Sequence, residues 1–324
     1  MRAVWLKELG GPEVLVAASA PDPTAGAGQA LVAVAFANIT FVETQFRATG
    51  FGPYRPDLPM IPGNGVGGVV SAVGPGVDPA LVGRRVVTTT GGSGGYAERV
   101  PVDAGGLVPV PDGVELDAAV ALLADGRTAT ALVRAAGVGG GDRVLVEAAA
   151  GGVGTLLVQL AGSAGATVVA AAGGGRKLGV ARELGADAAV DYRDPGWAGL
   201  VRREVGGLDV VFDGVGGEVA RTAFDLLDRG GRMLSYGAAS GDWAAIPDET
   251  AADRGVTLVS APRPAPDEMR ALTASALAEA AAGRLRPVIG QRFPLERAAD
   301  AHAAIESRAT VGKTLLEVGP VPGA

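Results

Sequence analysis

The sequence predicts two domains of different class, a β-rich one and an α/β one built on a doubly wound parallel sheet. Three observations predict this. Up to about residue 122, short apolar runs are broken by Gly and Pro with no long helical stretch between them. From about residue 123, apolar strands alternate with helical stretches, and beyond Gly283 short strands return. A chain of 324 residues holds both domains on the usual prior of roughly 150 residues each. The boundaries read as 1–122 with 284–324 for the β-rich domain and 123–283 for the α/β domain.

In the first domain, Ala30–Phe36, Val66–Val73 and Arg85–Thr89 read as strands. Gly50–Pro62 is a loop long enough to line a site, and Gly91–Gly95 is a flexible turn. In the second, apolar strands at Val144–Ala148, Thr167–Ala171, Ala188–Asp191, Leu208–Asp213, Arg232–Tyr236 and Val256–Ser260 are separated by helices, which right-handed crossovers wind into one sheet. A helix at Asp267–Ala282 follows. The strands Pro287–Gly290 and Lys313–Val318 are expected to return to the first domain.

Composition narrows the function. A formal charge of −7 gives no positive field for a phosphate backbone, so nucleic acid is excluded as the main partner. Zero cysteines and one histidine, His302, leave almost nothing for a transition metal, and no metal site is expected. His302 reads as a helix residue without chemistry. Apolar residues make up 48% of the chain, yet no apolar run reaches the roughly 18 residues of a membrane span, and the start, Met1–Trp5, reads as a strand rather than a signal peptide. A cytoplasmic enzyme is expected.

The stretch with the clearest chemistry is Arg143–Thr155, an apolar strand that runs into Ala149-Ala150-Gly151-Gly152-Val153-Gly154 and then a helix. Taking Ala149, Gly151 and Gly154 as marks, the offsets are those of a dinucleotide-binding turn with alanine in first place. Gly151 and Gly152 admit a pyrophosphate close to the backbone, and Gly154 admits close helix packing. Amides of the first helical turn, Val153 among them, face the anion. About 20 residues on, where a carboxylate would accept from the 2′-hydroxyl of NAD, the segment Ala171–Lys177 carries none. Arg176 and Lys177 begin the next helix instead, a pair suited to the 2′-phosphate of NADPH.

The motifs Phe41–Arg47, Ile61-Pro62-Gly63, Gly95–Glu98, Ala149–Gly154, Glu183–Asp187 and Glu306–Lys313 resemble the zinc-free, zeta-crystallin-like quinone oxidoreductase branch of the medium-chain dehydrogenase/reductase superfamily, over nearly the whole chain. The resemblance implies a GroES-like catalytic domain beside the dinucleotide-binding one, an active site in the cleft between them, and a homodimer. It also implies cofactor roles for Lys177 and Tyr192 at the 2′-phosphate, Gly173 beside the adenosine and Thr128 at the nicotinamide end. Gly214, Tyr236 and Gly237 are implied along the cofactor, with Arg308 a further contact.

Where many relatives have Asn and Tyr, this chain has Thr40 and Gln45. Thr40 can donate one hydrogen bond to a substrate oxygen and Gln45 two, but Gln45 cannot act as a general acid. An enone leaves an enolate that must be protonated, whereas a hydroquinone anion exchanges protons with water readily, so the loss favours quinones. Tyr54, on the Gly50–Pro62 loop, is the remaining candidate acid, and Asp125 stands before what reads as a Gly-Arg-Thr turn. The sequence therefore points to NADPH-dependent reduction of a small quinone or enone. The alternatives are an enoyl or enone reductase of secondary metabolism and an NADPH-binding protein with little catalysis.

Overall fold

The computed structural model describes residues 1–52 and 57–320. It divides into two units, residues 1–126 with 266 onward, and residues 127–265.

The first unit opens with an antiparallel pair, β1 (Arg2–Leu6) and β2 (Leu15–Ser19). Its centre is β3 (Gln29–Ile39), whose alternating side chains Ala30, Val32 and Val34, and beyond a register shift Ala37 and Ile39, enter the core. Helix α1 (Phe41–Thr49) follows, then β4 (Gly65–Val73), β5 (Arg85–Thr89), β6 (Arg99–Asp103) and β7 (Val108–Pro109). Helix α2 (Leu116–Ala136) runs on into the second unit.

An all-β reading of residues 1–122 therefore misses two helices. Helix α1 is set by its ends: Thr40 and Glu43 form a reciprocal cap at the start, and Gly50 closes it at φ 72°. The Gly126-Arg127-Thr128 segment, which reads as a turn, lies inside α2, because its apolar neighbours Leu122, Leu123, Ala129 and Leu132 are all buried.

In the second unit the chain alternates β8 (Arg143–Glu147), α3 (Gly152–Ser163), β9 (Thr167–Ala172), α4 (Gly175–Glu183), β10 (Ala188–Asp191), α5 (Trp197–Val205), β11 (Leu208–Asp213), α6 (Gly217–Phe224), β12 (Leu227–Ser235), α7 (Asp248–Arg254) and β13 (Thr257–Leu258). All six strands are parallel, in the order β10-β9-β8-β11-β12-β13. That is the expected doubly wound sheet. The order reverses between β8 and β11, where such sheets open a crevice at their carboxyl ends. Val169, Leu145 and Val211 fill the core on one side of it.

The chain then enters α8 (Pro266–Ala281), β14 (Ile289–Pro294), α9 (Ala298–Glu306) and β15 (Lys313–Glu317). Strands β14 and β15 extend the first unit's sheet, in the order β14-β15-β3-β4-β5-β7 with β6 also on β3, so the expected return takes place. Helix α8 belongs to the first unit, although the sequence reading placed residues up to 283 in the second. The reason is its packing: Thr273 donates to the Leu123 carbonyl at 3.4 Å, and Arg270 to the Gly105 carbonyl. Among the described residues, no helix is long and apolar enough to cross a membrane.

Candidate functional site

The carboxyl end of β8 makes the glycine turn. The Gly151 amide closes back on the Ala148 carbonyl at 2.8 Å, and Ala148 itself takes the left-handed conformation, φ 47°. Gly151 caps α3, so the first-turn amides of Gly152 and Val153 have no partner inside the helix and remain for an anion. A Cβ on Gly154 would stand 2.3 Å from the Ala148 carbonyl oxygen, so only glycine allows this turn to sit so close to its helix. These residues fit a dinucleotide pyrophosphate.

At the end of β9, Gly173 and Gly174 lead into α4. Gly174 is at φ 95°, Arg176 is exposed and Lys177 half-buried. The segment itself holds no carboxylate, but the fold brings one: β10 pairs with β9 so that Asp191 lies opposite Ala172, and its Oδ2 accepts from the Gly174 amide at 3.0 Å. Arg193 grips the same carboxylate through Nε at 3.0 Å and Nη2 at 2.7 Å, which holds Asp191 down to about 2. Tyr192 lies beside Gly173. Its hydroxyl is raised, first by burial and then by the Glu147 and Asp191 carboxyls. Sequence reasoning named Gly173, Arg176, Lys177 and Tyr192 and missed Arg193. The available signal was a cation directly after Tyr192.

Further along the same edge, the segments after β11 and β12 run side by side. The Ser240 amide donates to the Val215 carbonyl at 2.8 Å, and the Tyr236 hydroxyl to the Glu147 carbonyl at 3.3 Å. Gly214 faces that hydroxyl, 2.6 Å from where its Cβ would be, and Gly237 stands against Gly214. The turn, the ribose segment and Gly214, Tyr236 and Gly237 thus share one edge of the sheet. Beneath them Glu147 and Asp213 are wholly buried. Asp213 accepts from the Val215 and Gly216 amides and from the Ser235 hydroxyl. Burial, then the charge of Asp213, pushes the Glu147 carboxyl well up. Thr128 stands half-buried on α2.

The remaining predicted residues lie in the first unit. Thr40 donates its hydroxyl proton to Glu43 Oε2 at 2.8 Å, and the Thr40 and Asn64 amides donate to the same carboxyl at 2.6 and 2.9 Å. A hydroxyl has one proton, so in this arrangement Thr40 offers a substrate lone pairs, not the donor the sequence reading assigned. Burial raises the Glu43 carboxyl. Lys313, close enough to act on Glu43, is itself buried and paired with Asp125 at 3.0 Å, which accounts for Asp125 as half of an ion pair.

Gln45, from the middle of α1, lines an open cavity of about 300 Å³ with Phe41, Thr44, Ala48, Phe51 and Arg308. The Arg308 guanidinium lies over the Phe41 ring, 4.2 Å from its centre. Tyr54 lies outside the described residues. His302 is buried on α9, its Nε2 2.9 Å from the Tyr96 hydroxyl. Among the described residues no group of three or more His, Asp or Glu side chains is arranged to hold a metal ion.

Comparison with known proteins agrees with this architecture. Residues 26–112 match the family described as alcohol dehydrogenase GroES-like domain, and residues 184–316 the one described as zinc-binding dehydrogenase. A probable quinone oxidoreductase of Schizosaccharomyces pombe is 34% identical, over 97% of this chain and 96% of its own length. A mycobacterial protein solved in complex with NADPH is 34% identical over 98% of this chain and 99% of its own, with a TM-score of 0.87. An NAD-dependent alcohol dehydrogenase is 33% identical, covers 98% of this chain and 100% of its own, and superposes with a TM-score of 0.90.

Proposed function

The chain belongs to the quinone oxidoreductase family of medium-chain dehydrogenases/reductases, and from that premise we propose that it reduces quinones or related α,β-unsaturated carbonyl compounds with NADPH and without zinc. The observation that carries the reading is the second unit's carboxyl edge, where a turn that tolerates only glycine at 154 follows β8 while Arg176, Lys177 and Tyr192 follow the adjoining strands β9 and β10. NADPH, when bound, supplies the hydride. The protein's part is to hold and orient. Gly152 and Val153 present amides to the pyrophosphate, Gly151 shapes the turn that aims them, and Lys177 and Arg176 supply cations for the 2′-phosphate. Gly173, Tyr192, Gly214, Tyr236, Gly237 and Thr128 flank the remainder, and Arg308 is the further contact that the family resemblance implies.

Toward the acceptor, Gln45 is the donor. Its amide offers two hydrogens to a carbonyl oxygen from the wall of an apolar cavity, where Phe41 and Phe51 favour a flat ring. Thr40, tied to Glu43, fixes the start of that helix and adds a lone pair. The one acidic side chain on the described lining, Glu306, is held by Arg47, which favours an acceptor whose reduced anion takes its proton from water. Zinc independence rests on the donor set: there is no cysteine, and the one histidine is buried against Tyr96.

The test is NADPH oxidation followed by absorbance with 1,4-benzoquinone, 9,10-phenanthrenequinone and a 2-alkenal, with NADH as control and a chelator in parallel. Chelator-resistant, NADPH-preferring quinone turnover is expected. Turnover of the alkenal alone would move the chain to the enone reductases, and silence with all three despite tight NADPH binding would make it a binding protein.

A further inference from the structure

We propose that Arg193 and Asp191 together set cofactor selectivity: Arg193 takes the 2′-phosphate beside Lys177, and in doing so covers the one carboxylate that would otherwise favour a 2′-hydroxyl. The inference rests on the NADPH reading above and adds a residue pair to it. Two features separate this pair from an ordinary surface ion pair.

The first is position. In doubly wound dinucleotide folds a carboxylate at the end of the second strand reads the ribose. Here that strand is β9 and ends in Ala172 without one, but the parallel register sets Asp191 directly opposite Ala172, with its Oδ2 on the Gly174 amide at 3.0 Å. The neighbouring strand thus supplies the missing carboxylate. Left uncovered, it would repel a phosphate and accept from a hydroxyl.

The second is packing. The Arg193 side chain lies along the turn: a Cβ on Gly174 would stand 2.8 Å from Arg193 Nη2, and one on Gly173 3.4 Å from its Cδ and Nε. The guanidinium keeps 63% of its side chain exposed while gripping Asp191 with Nε and Nη2. A guanidinium has five N–H donors, so hydrogens remain for a phosphate on its open side. Arg193 thus cancels the repulsion of Asp191 and adds its own donors to the cations of Arg176 and Lys177.

The experiment is cofactor binding by fluorescence titration of the full chain, with no acceptor present. In Arg193→Ala the dissociation constant for NADPH is expected to rise at least about tenfold and that for NADH to fall about threefold, as charge-assisted contacts are exchanged. In the double variant Arg193→Ala with Asp191→Asn, the gain for NADH is expected to vanish while NADPH stays weak. Arg193→Lys should keep part of the preference. If the wild-type chain prefers NADPH and Arg193→Ala leaves the NADPH-to-NADH ratio unchanged, or weakens both cofactors equally, the proposal fails and the NADPH reading stands. If the wild-type chain shows no NADPH preference, both fail.

Discussion

Replacing His302 by Gln tests whether the buried Tyr96–His302 pair makes this protein acid-sensitive. His302 is 1% exposed, and burial, reinforced by the Arg47 charge, lowers it from an ordinary value of 6.5 to about 3. A folded state that disfavours the charged form keeps its full stability above the ordinary value and loses it as the pH falls from there toward about 3. At about 1.4 kcal/mol for each pH unit, the histidine alone removes about 2 kcal/mol between about pH 8 and about pH 5, with a limit of about 5 kcal/mol at lower pH. Gln keeps a nitrogen within reach of the Tyr96 hydroxyl and does not titrate. Urea denaturation followed by circular dichroism at both pH values is the assay. The wild-type chain should lose about 2 kcal/mol more than His302→Gln on acidification. Equal losses would refute the argument, because they would mean that the imidazole charges as readily in the folded chain as in the unfolded one.

Lys177→Ala combined with Arg176→Ala should weaken NADPH binding more than about tenfold and barely alter NADH, as read by titration; equal loss for both would remove these cations from the 2′-phosphate. Glu147 has the opposite sign to His302: its raised carboxyl holds full stability below the ordinary carboxylate range and loses it as the pH rises through the folded value. Glu147→Gln, which keeps a donor for Asp213, should therefore flatten the fall in melting temperature as the pH rises above the ordinary carboxylate range; an unchanged slope would mean that the pair does not hold a proton. Gln45→Ala should lower kcat/KM for the quinone about tenfold with the NADPH dissociation constant unchanged, the loss of one hydrogen bond at the acceptor oxygen. A change in NADPH affinity instead would place Gln45 against the cofactor.

The sequence by itself determined the elements whose signal is local. Strands β10 and β11 fall where the apolar runs stop and start, and the turn at Gly151–Gly154 was legible because its glycines follow a strand and open a helix. Tertiary structure decided what lies across a turn and which unit an element joins. Helix α1 was overlooked among strand signals although its Thr40–Glu43 capping box is a local pattern that the sequence carries. Helix α8 reads as part of the α/β domain until Thr273 and Arg270 find carbonyls of the first unit. Thr40 reads as a donor until Glu43 takes its proton. Asp191 reads as the end of a strand, far in sequence from the ribose segment. Only the parallel register of β10 on β9 carries its carboxylate to the Gly174 amide and lays Arg193 over it. Periodicity is a property of neighbours along the chain, whereas a binding site is made by strand ends that hydrogen bonding brings side by side, and that pairing is written in no single segment.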